Sequence, residues 1–211
     1  MAKTVIYLVR HGQSIGNLHR TLLGHTDLDL SELGFKQAAA CAEALKDVKF
    51  DAIYSSDLKR AMSTAAPHAK MRGMEVFPAI DLREIYLGDW ENRTVDDIRA
   101  SYGDMYDVDW THHFFTFICP NGESVPHLAA RIRTKITYIA NDYPGKTLLF
   151  TLHAAAIRSF WATVRQFKTG DLTTELPFPS NASYSIVEYE NGIFTPISYS
   201  VDSHITDNMH F

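Results

Sequence analysis

Near the amino terminus the sequence reads VIYLVRHGQS over residues 5–14, and this stretch decides the fold. Residues 5–9 are apolar throughout and rich in β-branched side chains, which is typical of a strand buried on both faces of a sheet. Arg10 and His11 follow directly, so a cation and an imidazole come at the carboxyl end of that strand. Gly12 then allows the backbone to approach a ligand closely. The stretch predicts a buried strand that ends at a polar site.

Composition places the chain among ordinary globular proteins. It has 211 residues, of which 45% are hydrophobic and 21% charged, a balance that excludes disordered, collagen-like and coiled-coil classes. The length predicts a single domain over residues 1–211 with an insertion. A net charge of -5 argues against binding nucleic acid or anionic membranes through a basic surface. The first apolar run is too short for a signal peptide or a membrane span, so we expect a cytoplasmic protein.

Strands and helices alternate along most of the chain. Residues 50–54 and 146–152 read as two more buried strands. Four helices are predicted: one capped by Ser31, one capped by Ser55 or Ser56 and running over about 57–70, one over about 125–139 with Pro126 in its first turn, and one over 154–167. This alternation predicts an α/β fold, namely a three-layer αβα sandwich with a mostly parallel central sheet.

Two segments depart from the alternation. Residues 183–199 predict a hairpin that turns at Asn191-Gly192. Residues 86–121 are rich in aromatic and acidic side chains, weakly periodic, and too long for an ordinary connection. We interpret them as an inserted cap segment that lies over the edge of the sheet where ligands bind.

The carboxyl ends of three predicted strands carry a group of basic side chains. Arg60 lies in the first turn of the helix after the second strand, where backbone N–H groups already favour anions. His153 ends the strand at 146–152, as Arg10 and His11 end the first. A charged side chain near a core is costly unless an opposite charge pairs with it, and a bound phosphoryl group would pair with all of these basic side chains. The sequence therefore predicts a phosphate site.

Ordered blocks that contain these residues resemble a known family. They read LVRHGQSIGN at 8–17, GHTDLDLSELG at 24–34, YSSDLKRA at 54–61, LREI at 82–85, GDWE at 88–91, NGES at 121–124 and LH at 152–153. The sequence is similar in these blocks to the histidine phosphatase superfamily, in its phosphoglycerate-mutase-like branch (branch 1). The blocks span nearly the whole chain, and we expect only the hairpin and the tail to lie outside the resemblance.

The resemblance implies a role for each matching residue. His11 would be the nucleophile that forms a phosphohistidine, and Glu84 would donate the proton to the leaving oxygen. Arg10, Arg60 and His153 would act in catalysis and line the phosphate pocket. Asn17, Ser14, Thr26 and Ala154 would join Arg10, Arg60 and His153 in binding substrate. The family mechanism implies neither a metal nor another cofactor.

One position departs from the family pattern. The family usually has glycine after the second histidine, where this chain has Ala154. A left-handed backbone there would cost alanine roughly 1 kcal/mol or more, whereas a need for a small side chain alone would be met. Because a helix is predicted to begin at this position, we favour the second interpretation.

The cap segment bears on the choice between hydrolysis and phosphoryl transfer. Residues 86–128 contain two cations, Arg93 and Arg99, against eight acids, and they also contain eight Phe, Trp or Tyr residues. A mutase substrate is anionic at both ends and needs more cations than this. We therefore expect a phosphomonoesterase acting on a small metabolite whose leaving group is neutral or partly apolar. The alternatives are a phosphoglycerate mutase and a non-catalytic phospholigand-binding protein.

Two further expectations concern partners and packing. The partner predicted is a small phosphomonoester, with no nucleic acid and no membrane, and the hairpin edge could pair with a second copy in a homodimer. The aromatic side chains of the cap segment either line a substrate pocket or form a local core. They are Tyr106, Trp110, Phe114, Phe115 and Phe117.

Overall fold

The computed structural model describes residues 2–103, 105–106, 113–165, 176–206 and 209. A six-stranded sheet forms its centre, with the strands β1 (Thr4–Arg10), β3 (Ala52–Ser55), β4 (Val76–Pro78), β6 (Thr147–Leu152), β7 (Tyr184–Glu190) and β8 (Ile193–Val201) in the order β4-β3-β6-β1-β7-β8. The first four strands of that order run parallel, and β7 and β8 are antiparallel to their neighbours. Two short strands, β2 (Thr21–Leu22) and β5 (Arg93–Thr94), pair separately.

Helices cover both faces of the sheet. They are α1 (Ile15–Leu18), α2 (Glu32–Ala44), α3 (Lys59–Arg72), α4 (Val95–Tyr102), α5 (Val125–Asn141) and α6 (Ala154–Arg165). Ile6 and Leu8 of β1 belong to a core shared with α5 and α6, whereas Val9 belongs to a second core shared with α2 and α3. Alternate side chains of one strand therefore enter different cores, as a sheet between two helical layers requires. The predicted three-layer sandwich is confirmed.

The start of α3 differs from the prediction. Ser55 and Ser56 were expected to cap this helix, but it begins after Leu58, whose side chain makes no capping hydrogen bond. The carboxylate of Asp27 instead accepts a 2.8 Å hydrogen bond from the backbone N–H of Lys59. A loop more than thirty residues away in sequence supplies the cap, so the local pattern was misleading.

The cap segment contains structure that its weak periodicity did not predict. Thr94 caps the short helix α4 by accepting a hydrogen bond from the N–H of Asp97, and β5 pairs with β2 in the chain that follows β1. Trp90 and Ile98 are fully buried. Residues 104 and 107–112 of the predicted cap lie outside the described part. The assignment of residues 1–211 to one domain stays a prediction.

Strand β8 forms one edge of the central sheet. Ile193 and Ile197 are exposed on it, and the homodimer that this edge would allow stays a prediction. Within the described ranges, no helix is long and apolar enough to cross a membrane.

Candidate active site

A pocket of about 200 Å³ opens at the carboxyl end of β1 and at the start of α6. Seven of the residues that the sequence predicted line it, namely Arg10, His11, Ser14, Asn17, Arg60, Glu84 and Ala154. These side chains come from distant parts of the chain, and the parallel strands bring them to one edge of the sheet. His153 and Thr26 are not among its lining residues, and their positions are described below.

One ring nitrogen of His11 makes a hydrogen bond within the chain, and the other is left with its lone pair. Its Nδ1 lies 2.7 Å from the carbonyl oxygen of Gly12, which can only accept, so Nδ1 carries the proton. The side chain lines the pocket while remaining 5% exposed. Burial, together with the charges of Arg60 and Arg10, holds the pKa of His11 well below its usual range. The imidazole is therefore neutral at physiological pH, with the lone pair on Nε2.

Two guanidinium groups, those of the buried Arg60 and the partly buried Arg10, supply positive charge to the pocket. Arg60 is 1% exposed and donates hydrogen bonds to the carbonyl oxygens of Thr26 at 2.8 Å and Gly24 at 2.7 Å. Arg10 donates to the carbonyl of Pro179 at 2.6 Å, and its buried Nε has no partner among the described residues. Burial lowers the pKa of each arginine to about 10, so both remain charged at neutral pH.

His153 lies beside His11 and has no exposed surface. The two ring centroids are 5.2 Å apart at an interplanar angle of 62°. Burial, followed by the charge of Arg60, holds the pKa of His153 well below its usual range. Neither ring nitrogen has a hydrogen-bond partner within the described ranges. A buried imidazole left unsatisfied is costly, and the oxygen of a ligand held at His11 is the kind of group that would satisfy it.

Glu84 receives three backbone hydrogen bonds. Its Oε2 accepts from the N–H of Ala155 at 3.1 Å, and its Oε1 accepts from the N–H groups of Ala156 at 3.0 Å and Ile85 at 2.9 Å. The first two donors belong to the opening turn of α6, where N–H groups lack partners inside the helix. The start of α6 therefore fixes the carboxyl group at the wall of the pocket.

Ala154 occupies the position where the family pattern has glycine. It is the first residue of α6 and lines the pocket, and its backbone is not among those with positive φ. The conformation is thus one that any residue adopts without strain. The predicted start of a helix at Ala154, without a left-handed backbone, is confirmed.

Ser14 and Asn17 form a capping box at α1. The Ser14 hydroxyl accepts from the N–H of Asn17 at 3.0 Å, and the Asn17 Oδ1 accepts from the N–H of Ser14 at 3.1 Å. The Asn17 Oδ1 also accepts from the side-chain amide of Asn181 at 3.3 Å. With that oxygen engaged twice, the side-chain N–H groups are what Asn17 can offer to an anion.

Comparison with known proteins places this chain in a family. The model of the histidine phosphatase superfamily (branch 1) matches residues 6–202. The chain belongs to that superfamily. The match includes the hairpin, so the expectation that the hairpin lies outside the resemblance was wrong. Its antiparallel strands are β7 and β8 of the six-stranded central sheet.

Relatives of this histidine phosphatase superfamily member include both phosphatases and mutases. It is 30% identical to the metal-independent phosphoserine phosphatase of Arabidopsis thaliana, over 96% of this chain and 84% of the relative. It is 33% identical to the 2,3-bisphosphoglycerate-dependent phosphoglycerate mutase of Bartonella tribocorum, over 75% of this chain and 80% of the relative. Among solved structures, YhfR of Bacillus stearothermophilus superposes with a TM-score of 0.89 at 29% identity, covering 96% of this chain and all of that one.

Thr26 of this superfamily member supports the site from outside the pocket lining. Its carbonyl holds Arg60, and its hydroxyl donates to the carboxylate of Glu91 at 3.5 Å. Glu91 also accepts from the N–H groups of His25 at 2.6 Å and Leu87 at 3.3 Å. Glu91 therefore links two parts of the site. One is the segment 24–26, whose carbonyl groups bind Arg60, and the other is the segment that follows Glu84. Its presence in the GDWE block at 88–91 was the only signal in the sequence.

The remainder of the pocket lining in this superfamily member is neutral and largely apolar. It consists of Thr21, Leu22, Leu23, Gly24, Ile85, Leu87, Ala155 and Phe178. Sequence reasoning missed Phe178, which lies between Pro177 and Pro179 in a connection with no hydrophobic periodicity.

The aromatic residues of the cap segment have a different location. Phe114, Phe115 and Phe117 are buried in the main core, and Tyr106 packs against Trp90. None of them is among the pocket-lining residues. They therefore do not line a substrate pocket, and their core is continuous with the main core and not local to the cap segment. Trp110 lies outside the described residues.

Proposed function

We propose that this protein is a metal-independent phosphomonoesterase that hydrolyses a small phosphorylated metabolite through a phosphohistidine on His11. The observation that supports this proposal most directly is the hydrogen bond between His11 Nδ1 and the Gly12 carbonyl, in a pocket that also contains Arg10 and Arg60. This bond leaves Nε2 with a lone pair beside two permanent positive charges. A neutral nitrogen nucleophile next to an anion-binding cluster is what attack on a phosphate ester requires.

In the first step, Nε2 of His11 attacks the phosphorus atom and the bond between phosphorus and the ester oxygen breaks. The leaving oxygen takes a proton from the carboxyl group of Glu84, so the product departs as a neutral alcohol. Arg10 and Arg60 neutralise the charge that spreads over the phosphoryl oxygens, and His153 donates to one of them.

In the second step, water attacks the phosphohistidine. Glu84, now a carboxylate, accepts a proton from that water while the bond between phosphorus and nitrogen breaks. His11 regains its neutral form, and inorganic phosphate is released. One ester and one water thus become one alcohol and one phosphate, and every group of the protein returns to its starting state.

The neutral part of the pocket supports hydrolysis over transfer. A mutase binds a substrate with a second anionic group, which requires cations beyond those that hold the phosphoryl group. Among the described lining residues the arginines are Arg10 and Arg60, and the proposed mechanism uses both. The unstrained Ala154 also removes the only feature that favoured a non-catalytic phospholigand-binding protein.

Hydrolysis of p-nitrophenyl phosphate at mildly acidic pH tests this proposal. We expect turnover by the native protein, loss of activity in His11→Ala, and native activity in the control His19→Ala, because His19 is exposed and does not line the pocket. Denaturation in alkali, where phosphohistidine survives, should trap labelled phosphate on the native protein only. Activity that survives His11→Ala would remove the proposed nucleophile. Robust phosphoglycerate mutase turnover with negligible ester hydrolysis would establish the mutase instead.

A further inference from the structure

Phe178 is an aromatic wall of the pocket that several distant groups hold in place. Its side chain lines the pocket and is 36% exposed. The backbone on both sides is anchored: Arg158 Nε donates to the carbonyl of Leu176 at 2.7 Å, and the Tyr199 hydroxyl donates to that of Pro177 at 2.7 Å. Arg10 donates to the carbonyl of Pro179. The ring is therefore a fixed part of the site.

A third guanidinium lies directly against this ring. Arg158 is 2% exposed, and its guanidinium carbon is 4.3 Å from the ring centroid of Phe178. The same carbon is 4.6 Å from the centroid of Phe114 and 5.3 Å from that of Phe115. Three aromatic rings thus surround one buried cation, an arrangement stabilised by the negative faces of the rings.

Arg158 is close to the pocket without lining it. Phe178 is among the lining residues and Arg158 is not, although the two side chains are in contact. We propose that Phe178 is a specificity-determining residue whose ring screens Arg158 from the substrate. The pocket then selects phosphomonoesters with an uncharged leaving group and rejects those with a second anion. This inference rests on the proposed hydrolysis, because it concerns the leaving-group side of the same site.

Desolvation explains the direction of this selection. An uncharged leaving group gains apolar contact with Phe178, Leu22 and Ile85 as it leaves water. A carboxylate in the same position would lose its hydration and meet no cation, which is costly. Removal of the Phe178 ring would allow such a carboxylate to approach the guanidinium of Arg158. Phe178 therefore determines whether Arg158 serves as a second anion site.

A matched pair of substrates isolates this effect. Glycerol 3-phosphate and 3-phosphoglycerate differ only in a hydroxymethyl group against a carboxylate. We expect the native protein to prefer glycerol 3-phosphate by kcat/KM. In Phe178→Ala we expect this preference to shift toward 3-phosphoglycerate by about tenfold, while kcat/KM for p-nitrophenyl phosphate falls by about tenfold.

A double-mutant cycle assigns the shift to Arg158. Phe178→Ala combined with Arg158→Met should return the preference to its native value, because no cation then lies behind the missing ring. Arg158→Met alone, which also removes the hydrogen bond to the Leu176 carbonyl, is the reference for the cycle. Phe178→Leu keeps an apolar cover and should also retain the native preference. An unchanged preference in Phe178→Ala, or a shift that survives Arg158→Met, would overturn the inference while leaving the hydrolase proposal intact. A native protein that hydrolyses no phosphomonoester would remove the proposed function itself.

Salt dependence gives a readout that does not require the Arg158 variant to fold. In Phe178→Ala, added salt should lower kcat/KM for 3-phosphoglycerate more steeply than for glycerol 3-phosphate, because screening weakens attraction to an uncovered charge. Equal salt dependence of the two substrates would contradict the inference.

Discussion

Arg131 and Glu123 form a two-point ion pair, with Nη2 2.7 Å and Nε 3.0 Å from the two carboxylate oxygens. The side chains are 17% and 8% exposed, so solvent screens the pair weakly. The same guanidinium donates to the carbonyl oxygens of Asp81 at 2.9 Å, Arg83 at 3.0 Å and Glu84 at 3.2 Å. The ion pair therefore holds the backbone that carries the proposed proton donor.

We expect Arg131→Met to lower kcat by about tenfold with little change in KM, because Glu84 acts mainly in the transition state while Arg10 and Arg60 still bind phosphate. The variant should also lose about 3 kcal/mol of unfolding free energy, since the buried Glu123 then keeps only the exposed His127 as an ion-pair partner. Steady-state kinetics and urea unfolding measure the two effects. The control is Lys135→Met, which removes a 3.6 Å contact with Asp81 and a contact with the Tyr138 ring. A raised KM at native kcat would contradict this role for Arg131.

His68 makes stability depend on pH. It is fully buried in α3, and neither ring nitrogen has a partner in the described part of the chain. Burial, aided by the charges of Arg72 and His204, lowers its pKa to about 3. Below about pH 6.5 the unfolded chain therefore binds a proton at this residue that the folded chain does not, and stability falls as pH falls from about 6.5 toward 3.

We expect His68→Leu to remove this contribution, which amounts to about 2 kcal/mol at pH 5. Urea unfolding of the native protein and the variant at pH 8 and pH 5 measures it, with the exposed His19→Gln as the control. The drop in stability between the two pH values should be smaller in His68→Leu. An identical drop in both proteins would show that His68 does not titrate as proposed.

Gly34 permits close contact between α2 and the chain after His11. A Cβ atom at Gly34 would clash with the carbonyl oxygen of Gln13, and one at Gly12 would clash with the carbonyl of Gly34. Because both obstacles are backbone, Gly34→Ala should cost about 3 kcal/mol of unfolding free energy and reduce activity. The control Gly73→Ala has open space but a φ of 62°, and should cost about 1 kcal/mol with native activity. Native stability in Gly34→Ala would disprove the contact.

Chelators test the source of the positive charge. We expect EDTA to leave kcat/KM unchanged, because in the proposed mechanism the guanidinium groups of Arg10 and Arg60 neutralise the phosphoryl oxygens, as a metal ion does in metal-dependent phosphatases. Arg60→Lys retains the charge but loses the planar group that donates to the carbonyl oxygens of both Gly24 and Thr26. It should lower kcat/KM about a hundredfold. Strict dependence on added Mg²⁺ would refute this prediction.

The residues at strand ends were predictable because parallel strands end at one edge. Arg10 ends β1 and His11 follows it, and His153 follows β6, so their proximity depends only on the topology of the sheet. Arg60 was predicted by the same logic from the start of α3. The carboxylate of Glu84 was found through the family resemblance, because its position depends on N–H groups of α6 that no local pattern reveals.

Features fixed by long-range contacts were not predictable. Asp27 caps α3 across a separation of 32 residues, so the serines nearer in sequence misled the prediction. Phe178 enters the pocket because Arg158, Tyr199 and Arg10 anchor its backbone, and no periodicity encodes that arrangement. Tertiary contacts decided each of these positions.

The carboxyl groups of Glu84 and Asp27 accept hydrogen bonds from N–H groups at the starts of α6 and α3, so those donors are already used within the chain. By contrast, the buried Nε of Arg10 and the ring nitrogens of His153 have no hydrogen-bond partner in the described part of the chain. An oxyanion held beside His11 would therefore meet donors that no internal acceptor occupies, and it would bind without breaking a hydrogen bond of the fold.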